Sequence, residues 1–420
     1  MVRRSILNAL QRLQDGLQRE PPVNRDDGGD VRGQREGSSD TSTVASTLDT
    51  QEIDNDIEAC PDYRVRLFLS VDLTGSTAFK AKYANEREPL EPYPIWLNRT
   101  RNFYRVFPQV LTRHFGEFTA VLAGAKDYKD MPPQVWKTVG DEIIFCIRIV
   151  CLEHLACCMR AFTKALSTYG AAINKQQSEL DVKGSAWVAS FPAPNVTIVS
   201  ASRINTMEPS NKVGGQLSEA EETRADRLPG EYDFLGKQID TGFRISRFAQ
   251  VHELAISVDL AWLLTLLRER DLVDFRFTYR GKEILKGVIG SVPYPIITVQ
   301  TERSVRRREL DELERTVANT DFAKHIELRN YLHKFMEEHE VEIPIISLHG
   351  IKYDKDKLPK CFFELGTAWQ AGAREEQQRK RIKEEADAFD DSAVPTVEDK
   401  NKLNELNSSF DKAFKSYWSD

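Results

Sequence analysis

Between positions 64 and 71 apolar residues recur at every second place, so that Val65, Leu67, Leu69 and Val71 share one face of a predicted strand that delivers Asp72 to its end. A small polar loop follows at once. In Leu73-Thr74-Gly75-Ser76-Thr77, Gly75 permits a tight turn and the backbone N–H groups ahead of the next helix face outward, as a phosphate cradle requires. Further along, the pattern predicts a helix over 77–83, broken at Pro89, Pro92 and Pro94, and a second helix over 96–115. An insertion over 126–133 leads to a strand pair over 135–149. This pair reads as a hairpin with a charged tip, Gly140-Asp141-Glu142, ahead of the buried run Ile143-Ile144-Phe145-Cys146-Ile147.

Leu152, Leu155, Met159, Phe162 and Leu166 then fall on one helical face, a core stripe rather than a cofactor box. A strand is expected over 184–191, and a mobile polar loop over 208–230, rich in Gly, Ser, Glu and Pro. The stretch 231–245 leads into another helix. Strands over 254–258, 275–279 and 296–299 and a helix over 260–267 complete the pattern. Irregular alternation of strands, hairpins and helices over about 240 residues is an α+β sheet with helices on one face.

On either side of this region the pattern changes. At the N-terminus Ile6, Leu7, Leu10, Leu13 and Leu17 have helical spacing with Arg3, Arg4 and Arg12 around them, which suits a docking helix or a membrane-surface helix and lacks the apolar core of a signal peptide. Residues 20–59 are rich in Asp, Gly, Ser and Thr and are expected to form a disordered linker. Beyond Thr301 charged helices are predicted over 303–319, 325–338, 364–389 and 400–417, with an apolar, strand-like run over 342–348. The expected organisation is an N-terminal helix and linker over 1–60, a domain over 61–302 and a mainly helical region over 303–420. No internal repeat of 20 to 50 residues is evident.

Composition narrows the chemistry. The 420 residues are 40% hydrophobic and 9% aromatic, ordinary for a globular protein, and the formal net charge of −7 argues against wholesale nucleic-acid binding, so a phosphate site must be local. Six cysteines without CxxC spacing suit reduced thiols in a cytoplasmic protein. Apolar runs end well before the length of about 18 residues that a membrane span needs. The histidines form no HExxH pair, and His333 and His339 are expected on helix surfaces.

Asp72 at a strand end and Asp141 at a hairpin tip are the two carboxylates that a two-metal phosphoryl site requires, because adjacent divalent ions repel unless shared anions neutralise them. A single strand-terminal Asp is ordinarily a cap or turn residue. The weight therefore rests on an ordered set: Val71-Asp72-Leu73-Thr74-Gly75-Ser76-Thr77, Lys137-Thr138-Val139-Gly140-Asp141-Glu142, Tyr232-Asp233-Phe234-Leu235-Gly236, Ile239-Asp240-Thr241-Gly242-Phe243-Arg244 and a late Leu285-Lys286-Gly287. Over roughly residues 61–300 the first four of these resemble, in order, the four blocks of class III nucleotidyl cyclases, and Leu285-Lys286-Gly287 is similar to their final phosphate-binding lysine strand.

The resemblance implies a ferredoxin-like antiparallel sheet with helices. It implies that Asp72 and Asp141, with the Leu73 carbonyl, bind two Mg²⁺ or Mn²⁺ ions, and that Gly75, Ser76 and Thr77 line the substrate. Arg244 and Lys286 would hold phosphates, Asp240 would stand where the family orients the ribose, and Lys137 and Asp233 match the family's base-reading pair. It implies a homodimer with composite sites. Two departures stand out: Asp240 replaces an asparagine, placing a carboxylate beside an anionic substrate, and Phe243 replaces a small residue.

Lys137 donating and Asp233 accepting suits adenine N1 and N6 or cytosine N3 and N4, and with the roles exchanged it suits uracil O4 and the N3 proton. The wider wording of the motifs is most similar to the pyrimidine cyclases of the bacterial Pycsar antiphage systems. That similarity implies UTP, with CTP next, as substrate, and cyclic UMP as a messenger for a cyclic-nucleotide-sensing effector. An adenylate cyclase and a catalytically inactive cyclase-like regulator are the other expectations.

Overall fold

A computed structural model describes residues 59–89, 92–200, 212–213, 216–318 and 320–390. The predicted N-terminal helix, all but the last residue of the predicted linker, and the predicted helix over 400–417 lie outside the described residues.

The first strand, β1 (Arg64–Thr74), runs through the centre of a seven-stranded sheet. Its neighbours are β4 (Asp181–Phe191) on one side and β3 (Glu142–Ile149), followed by β2 (Gln134–Val139), on the other. Beyond β4 lie β9 (Glu253–Ile256), β11 (Pro293–Gln300) and the edge strand β10 (Phe277–Ile284). The sheet is antiparallel as expected except at β4 and β9, which run parallel, so it is mixed. Registers place Asp72 opposite Glu142 on β3 and opposite Lys183 on β4.

Both faces of β1 are covered, not one, and this is why Leu67, Phe68 and Leu69 are all fully buried. On the first face lie α2 (Ile95–Val121) and α3 (Leu152–Gln176), the latter bearing the predicted core stripe. Phe107 of α2 packs on Phe145 of β3 and Phe162 of α3, with ring centroids 6.0 and 6.3 Å away. The second face carries Phe68, Trp136 and Trp187. Against them pack a separate two-stranded ribbon, β5 (Val196–Val199) with β8 (Tyr232–Leu235), and helix α5 (Lys237–Ile245).

The expected loop over 208–230 is in its second half a helix, α4 (Glu219–Arg227). Ser218 caps it by accepting from Glu221 N–H at 3.4 Å, and three acidic residues in its first turn suit the helix dipole. The predicted strand-like run over 342–348 forms no strand. It is held where Leu152 N–H donates to the Ser347 carbonyl (2.9 Å) and Ile345 N–H to the Tyr63 hydroxyl (3.2 Å). Of the later helices, α7 (Val305–Val317) buries nothing, whereas α8 (His325–Glu338) packs on α6 (Val258–Glu269) and adds Leu328, Leu332, Phe335 and Met336 to the main core. The last described helix, α9, spans Lys360–Asp390. All six cysteines are unpaired, and no described helix is long and apolar enough to cross a membrane.

Candidate active site

At the C-terminal end of β1 the chain turns through Gly75, whose φ of 86° and close approach to the Glu179 carbonyl leave no space for a Cβ. Helix α1 (Ser76–Lys82) starts immediately after it. The β2–β3 turn comes to the same place. Leu73 N–H donates to the Asp141 carbonyl at 3.1 Å, the Ser76 hydroxyl donates to Asp141 Oδ2, and the Tyr104 hydroxyl of α2 donates to the Gly140 carbonyl. Asp72, Leu73, Gly75, Ser76 and Asp141 are thus brought together. Thr77 follows in the first turn of α1 and is exposed.

Electrostatically the cluster is unbalanced towards negative charge. Burial pushes the Asp72 carboxyl up from its ordinary value; Lys183, whose Nζ lies 3.4 Å from Asp72 Oδ2, opposes this, and the charge of Asp141 adds to it. Glu142 is pushed up too, first by burial and then by Asp72 and Asp141, against a hydrogen bond from Ser70. Lys80 approaches Asp141 at 3.9 Å. Among the described residues no group of three or more His, Cys, Asp or Glu side chains has metal-holding geometry. Two carboxylates and the Leu73 backbone carbonyl would make an all-oxygen donor set of the kind that suits Mg²⁺ or Mn²⁺, and a cation there would offset the Asp141 charge that adds to burial in raising Asp72.

Lys137 and Asp233 are also brought together. Lys137 Nζ lies 2.7 Å from Asp233 Oδ1, a partner 96 residues away, and both side chains remain about one-third exposed. A register irregularity in β2 between Val135 and Lys137 re-aims the side chains there. Trp136 then points into the core and donates its indole N–H to the Tyr232 carbonyl (3.1 Å), while the Lys137 ammonium rests 3.9 Å from the centroid of the Trp136 ring. Asp233 is fixed by its own neighbour, whose N–H (Phe234) reaches Asp233 Oδ1 at 3.0 Å.

Asp240, Phe243 and Arg244 lie on the exposed side of α5, three and four residues apart and so on one stripe. The opposite side presses Gly242 flat against Trp187. Lys286 is not on a strand as expected. It is exposed in the turn that follows β10, because Gly287, with φ of 78°, bends the chain there. β10, the strand that leads to Lys286, lies at the sheet edge four strand spacings, about 19 Å, from β1.

No family model and no curated protein matches the sequence. Solved structures do. The adenylyl cyclase CyaB from P. aeruginosa is 11% identical with a TM-score of 0.37, over 57% of this chain and 94% of its own. A bacterial light-regulated adenylyl cyclase is 8% identical with a TM-score of 0.34, over 69% of this chain and 66% of its own. The guanylate cyclase domain of RhGC from Catenaria anguillulae, solved with GTP, is 11% identical with a TM-score of 0.30, over 57% and 97%. Similarity this low carries no functional weight, and the functional reading rests on the residue placement described above.

Several residues of the site were not singled out in the sequence. Lys183 is one, detectable as the single charge inside the apolar run Val182 to Phe191 of β4. Tyr104, which steadies the Asp141 turn from α2, gave no local signal. The most informative omission is a pair, Arg64 and Arg66. Two arginines among the apolar residues at the start of the central strand signal acidic partners, and these are Glu219, Glu222 and Asp226 of α4.

Proposed function

We propose that the protein is a metal-dependent nucleotidyl cyclase that converts a pyrimidine nucleoside triphosphate, UTP ahead of CTP, to its 3′,5′-cyclic monophosphate and pyrophosphate. The observation that carries this reading is the meeting of Lys137 with Asp233 at 2.7 Å, in the same fold that gathers Asp72, Asp141 and the Gly75 loop. Together they supply a donor and an acceptor for a base edge and an oxygen-lined cation site. The choice of UTP rests on motif similarity, since the pair also suits adenine and cytosine edges.

Asp72, Asp141 and the Leu73 carbonyl would hold two Mg²⁺ or Mn²⁺ ions, which when bound supply positive charge for the α-phosphate and the leaving pyrophosphate and acidify the ribose 3′-hydroxyl. In the reaction the 3′-oxygen bonds to Pα, the bond from Pα to the bridging oxygen breaks, and the hydroxyl proton leaves to solvent. Lys137 and Asp233 orient the base, and Asp240 faces the ribose. Arg244 steadies the charge that develops on the α-phosphate, and Lys286 binds the triphosphate tail. The four strand spacings, about 19 Å, between β1 and the edge strand that leads to Lys286 support a homodimer in which one copy completes the other's site. The cyclic product then serves as a messenger for an effector partner in antiphage defence.

The test is incubation of the purified full chain with each of the four NTPs and Mn²⁺, with products resolved by mass spectrometry. Cyclic UMP or cyclic CMP is the expected product. Cyclic AMP alone overturns the pyrimidine assignment, and no cyclic product from any NTP overturns the enzyme reading.

A further inference from the structure

The two-stranded ribbon that carries Asp233 forms no ladder with the main sheet, so something else must set its position. Besides the Trp136 and Lys137 contacts from β2, one tie is the guanidinium of Arg66. Its side chain is completely buried, and its Nε donates to Asp226 Oδ1 (2.8 Å), its Nη2 to Glu222 Oε2 (2.8 Å) and the Glu222 carbonyl (3.1 Å), and its Nη1 to Thr197 Oγ1 (2.9 Å). Thr197 lies on β5, where it pairs with Phe234, the residue next to Asp233, and its hydroxyl donates onward to Glu222 Oε2 (2.9 Å). The guanidinium carbon also rests 4.6 and 4.9 Å from the ring centroids of Phe191 and Phe234. One side chain therefore grips α4, β5 and the Phe234 ring of β8 at once.

A cluster of this kind is a poor means of gaining stability. Taking arginines and carboxylates out of water costs about as much as their pairing returns, and well-packed apolar side chains hold a helix as firmly. What a fork of directed, charge-assisted hydrogen bonds adds is position. Alternation along β1 puts Arg66, Phe68, Ser70 and Asp72 on the same face, so the strand that presents the metal carboxylate at one end also anchors the base-reading ribbon near its other end.

We infer that Arg66 is a positioning residue for Asp233, setting the place of the base-reading carboxylate through Thr197, Phe234 and α4. The inference rests on the reading of Lys137 and Asp233 as the base reader. Removing the guanidinium lets the β5–β8 ribbon shift on the sheet and blurs base selection while leaving the metal end of β1 in place.

The test uses the full chain with Arg66→Met combined with Glu222→Gln, which removes one charge of each sign and leaves Asp226 paired with Arg64 at 3.0 Å. Amide hydrogen exchange is measured over 232–235 and 72–74, with UTP and ATP affinities and Mn²⁺ affinity on the same samples. Exchange over 232–235 is expected to speed at least tenfold with 72–74 unchanged. UTP affinity falls about tenfold, the UTP-to-ATP ratio moves towards one, and Mn²⁺ affinity stays within twofold. Arg66→Lys, with one charge and no fork, falls between. Unchanged exchange over 232–235, an equal rise over both segments, or a preserved base ratio overturns the inference. If the double variant does not fold, Thr197→Val decides, with a local rise in exchange of at least threefold expected and none overturning it. A wild-type protein without nucleotide selectivity sinks the base-reader reading, and the exchange data still decide whether Arg66 holds the ribbon.

Discussion

Replacing Gly242 by alanine tests whether α5 is a positioning element for Asp240 and Arg244. A Cβ at this position lies 2.5 Å from Trp187 Cγ and nearer still to two other indole atoms. Carbon contacts settle at about 3.5 Å or more, so α5 must move off the sheet by about 1 Å. Trp187 cannot give way, because it is fully buried and stacks on Phe68 with ring centroids 5.5 Å apart. Overpacking of this kind costs about 1–3 kcal/mol, and alanine returns about 1 kcal/mol in helix propensity, so the net loss of stability is at most about 2 kcal/mol. Catalysis is far less tolerant, since a misplacement of 1 Å costs on the order of 10²-fold. The expected result is a fall in Tm of a few degrees with a fall in cyclase turnover of about 10²-fold, measured by pyrophosphate release and thermal unfolding on one preparation. Mn²⁺ affinity should be unchanged because Asp72 and Asp141 do not ride on α5. Turnover within threefold of wild type would show that α5 does not position the reacting phosphate.

Three further outcomes are expected. Phe243→Ala removes the 37%-exposed ring that packs on Trp136 and Trp187 beside the base reader, and turnover of ATP relative to UTP should rise about tenfold; an unchanged ratio places Phe243 outside the base slot. Asp72→Asn takes one of two carboxylates from the proposed cation site and should weaken Mn²⁺ binding, read by electron paramagnetic resonance, by at least about 10²-fold; equal affinity would refute the metal assignment. Burial lowers His154 from its ordinary 6.5 to about 4, so the fold favours the neutral ring: the stability this gives is fully present above pH 6.5 and is lost as pH falls towards 4, by up to about 3 kcal/mol. Urea midpoints at about pH 7.5 and about pH 4.5 should differ less in His154→Phe than in wild type, and equal pH slopes would refute the assignment.

Local pattern alone identified the strand that delivers Asp72, the hairpin tip at Asp141 and the helix bearing Asp240 and Arg244, because periodicity, turn glycines and charged tips are properties of neighbours in sequence, whereas the Tyr232-Asp233-Phe234 block stood out only through the family resemblance. It misjudged what depends on distant partners. The segment after Ser218 reads as a polar loop until Arg64 and Arg66, more than 150 residues earlier, supply the charges that let Glu222 and Asp226 be buried as a helix. Lys286 reads as strand until Gly287 turns the chain. The cover on both faces of β1, the parallel junction of β4 with β9 and the approach of Lys183 to Asp72 are likewise set by how the strands are ordered in the sheet. Sequence thus determined which residues are candidates for the chemistry. Tertiary structure decided which of them meet, because a contact such as Lys137 with Asp233 exists only when the sheet and the ribbon have packed and buried the aromatic residues between them.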